Sequence, residues 1–147
     1  MSNNVNFTSE FTNFIYHKFP HLDFAPIVFV SAKSGLNVAK ILNHVLAIEK
    51  AKSIMVSDNA LSKFLKQLII KQPPPRRKMG RGSKFQIKRA FITNFRQINA
   101  RPPLFECEIG SEEKLPDNYV QYIINNVRQK FGFRGVPIKL VVRNKKN

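Results

Sequence analysis

Residues 118–143 read NYVQYIINNVRQKFGFRGVPIKLVVR. The first half has the pattern of a helix. Tyr119, Ile123, Ile124, Val127 and Phe131 recur at three- and four-residue steps and form one apolar stripe. Gly132 falls where that stripe ends, and glycine takes the left-handed conformation that closes a helix without a steric penalty. After Gly135 the period changes to two: Ile138, Leu140 and Val142 alternate with Lys139, Val141 and Arg143, as on a strand. GFRG also matches the G-x-x-G loop with which KH domains clamp an RNA backbone. That clamp joins two helices, whereas these glycines lie between a helix and a strand. They therefore read as a cap and a turn.

The same logic extends backwards. Pro116 and Asp117 open the helix. Leu104–Ile109, LFECEI, has Phe105, Cys107 and Ile109 on one face and Glu106 and Glu108 on the other, so one face of its sheet is covered and the other wet. A break at 99–103 separates it from a strand within 85–95, where Phe91, Ile92 and Thr93 favour extended backbone. Ser57 or Asp58 caps a helix carrying Leu61, Phe64, Leu65, Leu68 and Ile69, which stops at Pro73-Pro74-Pro75. Residues 56–147 thus predict an α+β domain in the order α-β-β-α-β, with two helices on one face of a three-stranded sheet.

Residues 1–55 read differently. Phe7, Phe11, Phe14, Ile15 and Phe19 share one helical face, and Pro20 ends that helix. Ala25–Val30, APIVFV, is apolar throughout, as in a strand buried in a parallel sheet. A second helix carries Val38, Ile41, Leu42, Val45 and Leu46. Helix, buried strand, loop, helix is an α/β fragment. A strand buried on both faces needs neighbours, which suggests that the fragment belongs to a larger fold. The loop is the SAK of FVSAKSGL, 29–36. A Ser-Ala-Lys turn after a parallel strand is how a GTPase offers backbone N–H groups and a lysine stem to a guanine ring. Such sites lie at strand C-termini. The sequence has no G-x-x-x-x-G-K-[ST], no Asp-x-x-Gly and no Asn-Lys-x-Asp. The groups that would hold the phosphates and the magnesium ion are therefore missing.

Formal net charge is +16, from 25 Lys and Arg against 9 Asp and Glu. No acidic residue lies between Asp58 and Glu106, while Lys63, Lys66, Lys71, Arg76, Arg77, Lys78, Arg81, Lys84, Lys88, Arg89, Arg96 and Arg101 do. Segregated charge of this kind favours a polyanion, which releases counterions on binding. PPPRRKMGRGSK reads as a basic, glycine-containing loop, with Arg76, Arg77, Lys78, Arg81 and Lys84 as phosphate contacts. Glu106, Glu108, Glu112, Glu113 and Asp117 read as a compact acidic counter-patch. The single cysteine, Cys107, excludes an intrachain disulfide, and two flanking glutamates would raise its thiol pKa. His17, His21 and His44 have no metal spacing. No nucleophile–base constellation appears, so no catalytic residue is assigned. The N-terminal residues lack signal-peptide character and no apolar run reaches membrane-span length, which suggests a cytoplasmic protein.

Several stretches resemble, in order, the C-terminal part of the Der (EngA) family of bacterial GTPases, which carry two tandem GTPase domains followed by a KH-like domain. FVSAKSGLNVAKIL is similar to the end of the second GTPase domain. KQPPP, FRQINARPPLFECEI and NYVQYIINNVRQKFGFRGVPIKLVVR are similar to successive parts of the KH-like domain. The resemblance implies a P-loop GTPase fragment over 1–55 and a KH-like domain over 56–147. It implies a role in large ribosomal subunit assembly, with rRNA and the GTPase domains as partners, and GTP with magnesium as cofactors of the intact protein. Ser31, Ala32 and Lys33 carry over as guanine-binding positions, and no catalytic residue does. The segment from Arg76 to Phe95 is longer and more basic than the family pattern. A protein-interaction module or a stand-alone basic RNA-binding remnant is the alternative reading.

Overall fold

The computed structural model describes residues 3–79, 86–111 and 113–145. They group into two units, 1–51 with Arg134–Val136, and 52–133 with 137–147.

In the second unit, helix α3 (Asp58–Lys71) starts at Ser57, whose Oγ accepts the Ala60 N–H at 3.4 Å. Asp58 in the first turn and Lys71 in the last complement the helix dipole. The Gln72 N–H closes the last turn onto the Leu68 carbonyl at 2.9 Å before the prolines begin. Leu61, Phe64, Leu65 and Leu68 form its buried face, as the spacing predicts. Strands β3 (Ile92–Asn99), β4 (Leu104–Ile109) and β5 (Lys139–Asn144) make one sheet in the order β3-β4-β5. The β3/β4 pair is antiparallel and the β4/β5 pair parallel. Helix α4 (Asp117–Phe131) is the crossover that parallel pairing requires. Gly132 caps it at φ 80°, with its N–H on the Arg128 carbonyl at 3.1 Å. The predicted α-β-β-α-β order holds for α3, α4 and the three-stranded sheet.

The core lies between the helices and the sheet. Phe95 and Phe105 stack at 5.7 Å, and Phe105 meets Phe133 edge-on at 5.7 Å. Leu61, Ile109, Ile123 and Val127 fill the remainder. Each buried aliphatic or aromatic side chain contributes about 1.5–3 kcal/mol.

One expectation for this unit fails. Residues 76–83 do not begin as a loop: β1 (Arg76–Met79) pairs antiparallel with β2 (Gln86–Arg89) as a separate two-stranded sheet. A basic, polar stretch lacks the apolar alternation that marks a strand, so its extended form is invisible to periodicity.

In the first unit, α1 (Asn3–Lys18) and α2 (Val38–Lys52) flank a run at 26–30 without regular secondary structure, with one 3-10 turn at Pro20–Leu22. The sequence predicts a buried parallel strand for this run. It forms no strand and belongs to neither sheet, and Ile27, Val28 and Phe29 are only half-buried. The apolar faces of the two helices are likewise open: Phe7, Phe14 and Leu42 are 59–62% exposed. Tyr16 donates to the Ala25 carbonyl at 2.8 Å and Phe11 meets Phe29 edge-on at 6.1 Å, which holds α1 against the run. In this unit Gly135 has φ 75°, and a Cβ there would lie 2.7 Å from Ile48 Cγ1. Gly135 is thus a turn residue with no space for a side chain.

Candidate nucleic-acid interface

The β1–β2 ribbon gathers cations by register. Arg76 lies opposite Arg89 and Arg77 opposite Lys88, while Lys78 pairs with Ile87 and Met79 with Gln86. Arg76, Arg77, Lys88 and Arg89 are all exposed. Among the described residues none of these four has an ion pair. Directly opposed like charges destabilise a strand pair, so this arrangement costs stability unless an anion relieves it. Of the five phosphate-contact residues expected from sequence, Arg76, Arg77 and Lys78 sit on β1. Arg81 and Lys84 lie outside the described residues. Lys88 and Arg89, which no sequence motif assigns to the site, are brought directly across from Arg77 and Arg76. The signal that finds them is two short basic runs, RRKM and QIKR, flanking a glycine-containing segment.

Two members of the expected acidic counter-patch are withdrawn from solvent. Glu106 is 7% exposed and lies on β4 between two arginines, with Arg96 Nη2 at 2.6 Å and Arg143 Nε at 2.8 Å. That contact raises the Arg96 pKa, first through the hydrogen bond and then through the opposite charge. Glu113 is also buried, and its Oε2 accepts the Phe91 N–H at 2.5 Å and the Gly110 N–H at 3.1 Å. Glu112 lies outside the described residues. These two carboxylates, expected to face solvent together, are spent separately on arginines and on backbone donors. The basic ribbon therefore has no matching acidic surface made by them.

The Ser31–Lys33 turn follows the apolar run at 26–30. The Ser31 N–H donates to the Leu36 carbonyl at 3.1 Å, and Ser31 Oγ accepts the Ser34 N–H at 3.3 Å. Asn37, at φ 60°, returns its side-chain amide to the Phe29 carbonyl at 3.0 Å. Ala32 and Lys33 are exposed at the tip. The turn is closed on itself and presents two residues outward.

Two concavities accompany these features. Lys71, Lys130, Gln67, Gln129 and Asn126 ring a cleft of about 380 Å³ between α3 and α4, floored by Phe64 and Leu68. A groove of about 570 Å³ runs along Ile27–Phe29 between α1 and α2. Cys107 is fully buried, and burial alone pushes its thiol up to about 12. The expected cause, the flanking glutamates, is not the operative one, because their side chains point to the opposite face. Among the described residues no cluster of three His, Cys, Asp or Glu could hold a metal, and no helix is long and apolar enough to cross a membrane.

The model of the KH-domain-like of EngA bacterial GTPase enzymes, C-terminal, matches residues 55–143. The chain belongs to this family. The matched range includes α3, the three-stranded sheet to Arg143 and α4. The chain is 35% identical over 141 residues to GTPase Der of Caldanaerobacter subterraneus subsp. tengcongensis, covering 96% of this chain and 30% of that protein. It is 32% identical over 137 residues to GTPase Der of a Geobacillus species, covering 93% of this chain and 30% of that protein. For GTPase Der of Gemmatimonas aurantiaca the identity is 30% over 128 residues, covering 87% of this chain and 28% of that protein. The chain thus spans under a third of the length of these curated relatives.

Proposed function

We propose that the EngA-type KH-like domain of this chain binds RNA through its basic ribbon, as part of a Der-type GTPase acting in assembly of the large ribosomal subunit in the cytoplasm. The observation that carries this reading is the acid-free segment, which puts like charges opposite one another on an exposed two-stranded sheet. Arg76, Arg77 and Lys78, with Arg81 and Lys84 by sequence, supply the phosphate contacts. Phosphate contacts position a protein on nucleic acid with little sequence preference.

Residues 1–55 are, in this reading, the end of a P-loop GTPase domain. The half-buried apolar run and the open helix faces support it, since both are left short of neighbours. Ser31, Ala32 and Lys33 line the base side of a GTP site whose phosphate and magnesium contacts come from other segments of the intact GTPase. The protein partner is therefore the GTPase domains, and the polyanion partner is rRNA.

The test is a salt titration of rRNA binding. Neutralising Arg76, Arg77, Lys78, Arg81 and Lys84 together should flatten the plot of log K against log salt, by about 0.7–0.9 for each phosphate no longer neutralised. An unchanged slope would remove the assignment. If RNA binding were weak at all salt concentrations while the separately produced GTPase domains captured the chain, the protein-interaction reading would replace it.

A further inference from the structure

We infer that the β1–β2 ribbon grips two phosphodiester strands at once, one on each face, so that its target is folded RNA rather than a single strand. This rests on the RNA-binding reading above and goes beyond it in naming the kind of RNA.

The register carries the argument. Successive residues of a strand point to opposite faces, and directly opposed residues share a face. The pair Arg76/Arg89 therefore occupies one face of the ribbon and the pair Arg77/Lys88 the other. Opposed Cβ atoms in such pairs are about 4.5–5.5 Å apart. Like charges directly opposite on one face repel and weaken the strand pair. Each pair is relieved only by an anion on its own side. A single RNA strand running along the ribbon neutralises one pair and leaves the other. An anionic membrane is one plane and has the same limitation. Two phosphate walls, one on each side, relieve both pairs together.

The shape agrees. Strands in a sheet lie about 4.8 Å apart, so a lone ribbon is thin enough to stand within a groove. This ribbon is a sheet of its own, not an edge of β3-β4-β5. The major groove of regular A-form RNA is too deep and narrow for side chains to read. The ribbon therefore suits places where that groove is opened, as at a bulge, a helix end or a junction.

The experiment measures fluorescence anisotropy of the full chain with three labelled RNAs of equal phosphate number: an unstructured strand, a perfect duplex and a bulged hairpin. Two double variants separate the faces, R76Q/R89Q and R77Q/K88Q. On the bulged hairpin each should lower the salt slope by about 1.5–2, that is, two cations at about 0.9 each. On the unstructured strand only one of them should lower it. Thermal midpoints give a second readout. Removing a repulsive pair leaves the midpoint unchanged or raised, so weaker binding cannot come from unfolding. The charge-retaining variant R76K/R89K should keep the wild-type slope. Loss of slope from one face only on the bulged hairpin, or equal losses from both faces on the unstructured strand, overturns the two-strand grip and leaves RNA binding intact. Retention on anionic vesicles in preference to all three RNAs also overturns it. If the slope is unaltered in both variants on every RNA, the ribbon is not the RNA site and the parent reading falls with it.

Discussion

The side-chain amide of Gln97 takes the place of a strand partner for the segment before α3. Its Oε1 accepts the Val56 N–H at 2.9 Å, and its Nε2 donates to the Ile54 carbonyl at 2.9 Å and to the Asn99 carbonyl at 3.1 Å. Gln97 is buried on β3, so these backbone groups have little access to water in its absence. Gln97→Leu should cost about 1–3 kcal/mol, because buried polar groups lose their partners while the apolar contact is retained. Urea denaturation with an unchanged m-value checks it. A change within about 0.5 kcal/mol, the range of a surface substitution, would show that the segment is not held by this side chain.

Gly110 and Glu113 form a second closed unit. A Cβ at Gly110 would lie 2.6 Å from Glu113 Cδ, so the glycine is what lets the carboxylate fold back onto the Gly110 and Phe91 N–H groups. Gly110→Ala forces the carboxylate aside and should cost about 1–3 kcal/mol through those donors. Glu113→Ala removes the same bonds directly. The double variant should then be little worse than either single one, since both act on one set of contacts. Strict additivity in a double-mutant cycle would refute the shared mechanism.

Burial also sets a pH response. It pushes the Cys107 thiol from 9.0 up to about 12, and the Tyr119 hydroxyl, which donates to the Gln72 carbonyl at 2.7 Å, from 10.0 up to about 12. In the unfolded chain both groups ionise near their ordinary values. Above pH 9 the folded state therefore binds more protons than the unfolded one, and stability falls as pH rises. The stabilising contribution is complete below pH 9 and lost by about pH 12. Denaturation midpoints should decline over that window, and less steeply in Cys107→Ala. Alkylation gives an independent check: at pH 8 Cys107 should react only at the rate of unfolding. Rapid modification of the native protein would contradict its burial.

Much of this was legible in the sequence where one physical signal dominated. The helix carrying Tyr119, Ile123 and Val127, its cap at Gly132 and the alternation in Leu104–Ile109 all depend on apolar periodicity and glycine's backbone freedom, which are local. What escaped was non-local. Periodicity reports burial, so it cannot find a ribbon such as Arg76–Met79 with Gln86–Arg89 that buries little. Nor does sequence order reveal that Glu106 lies between Arg96 and Arg143, or that Glu113 turns inward, because those pairings depend on strand register. Likewise, the apolar run Ala25–Val30 reads as a buried strand, but it forms no strand here. The apolar content of that run describes the environment it suits, and the ladder that would provide it involves other strands.

The Ser31–Lys33 turn gives the last test. Its Ser31 N–H and the Ser31 hydroxyl are already engaged within the turn, leaving Ala32 and Lys33 as the outward surface. Most nucleotide affinity comes from backbone N–H groups and charge around the phosphates, as in a glycine-rich loop leading into a helix N-terminus. No such motif occurs in this sequence. Titration of the chain with GTP and magnesium should therefore give a Kd weaker than about 1 mM, equivalent to less than about 4 kcal/mol of binding free energy. GTP hydrolysis above background is not expected from this chain. When the GTPase domains are supplied separately and nucleotide is bound by the assembled complex, Lys33→Ala should weaken that binding if the proposed guanine-binding role of Lys33 holds. Micromolar GTP binding by the chain alone would show that this turn is more than one wall of a pocket.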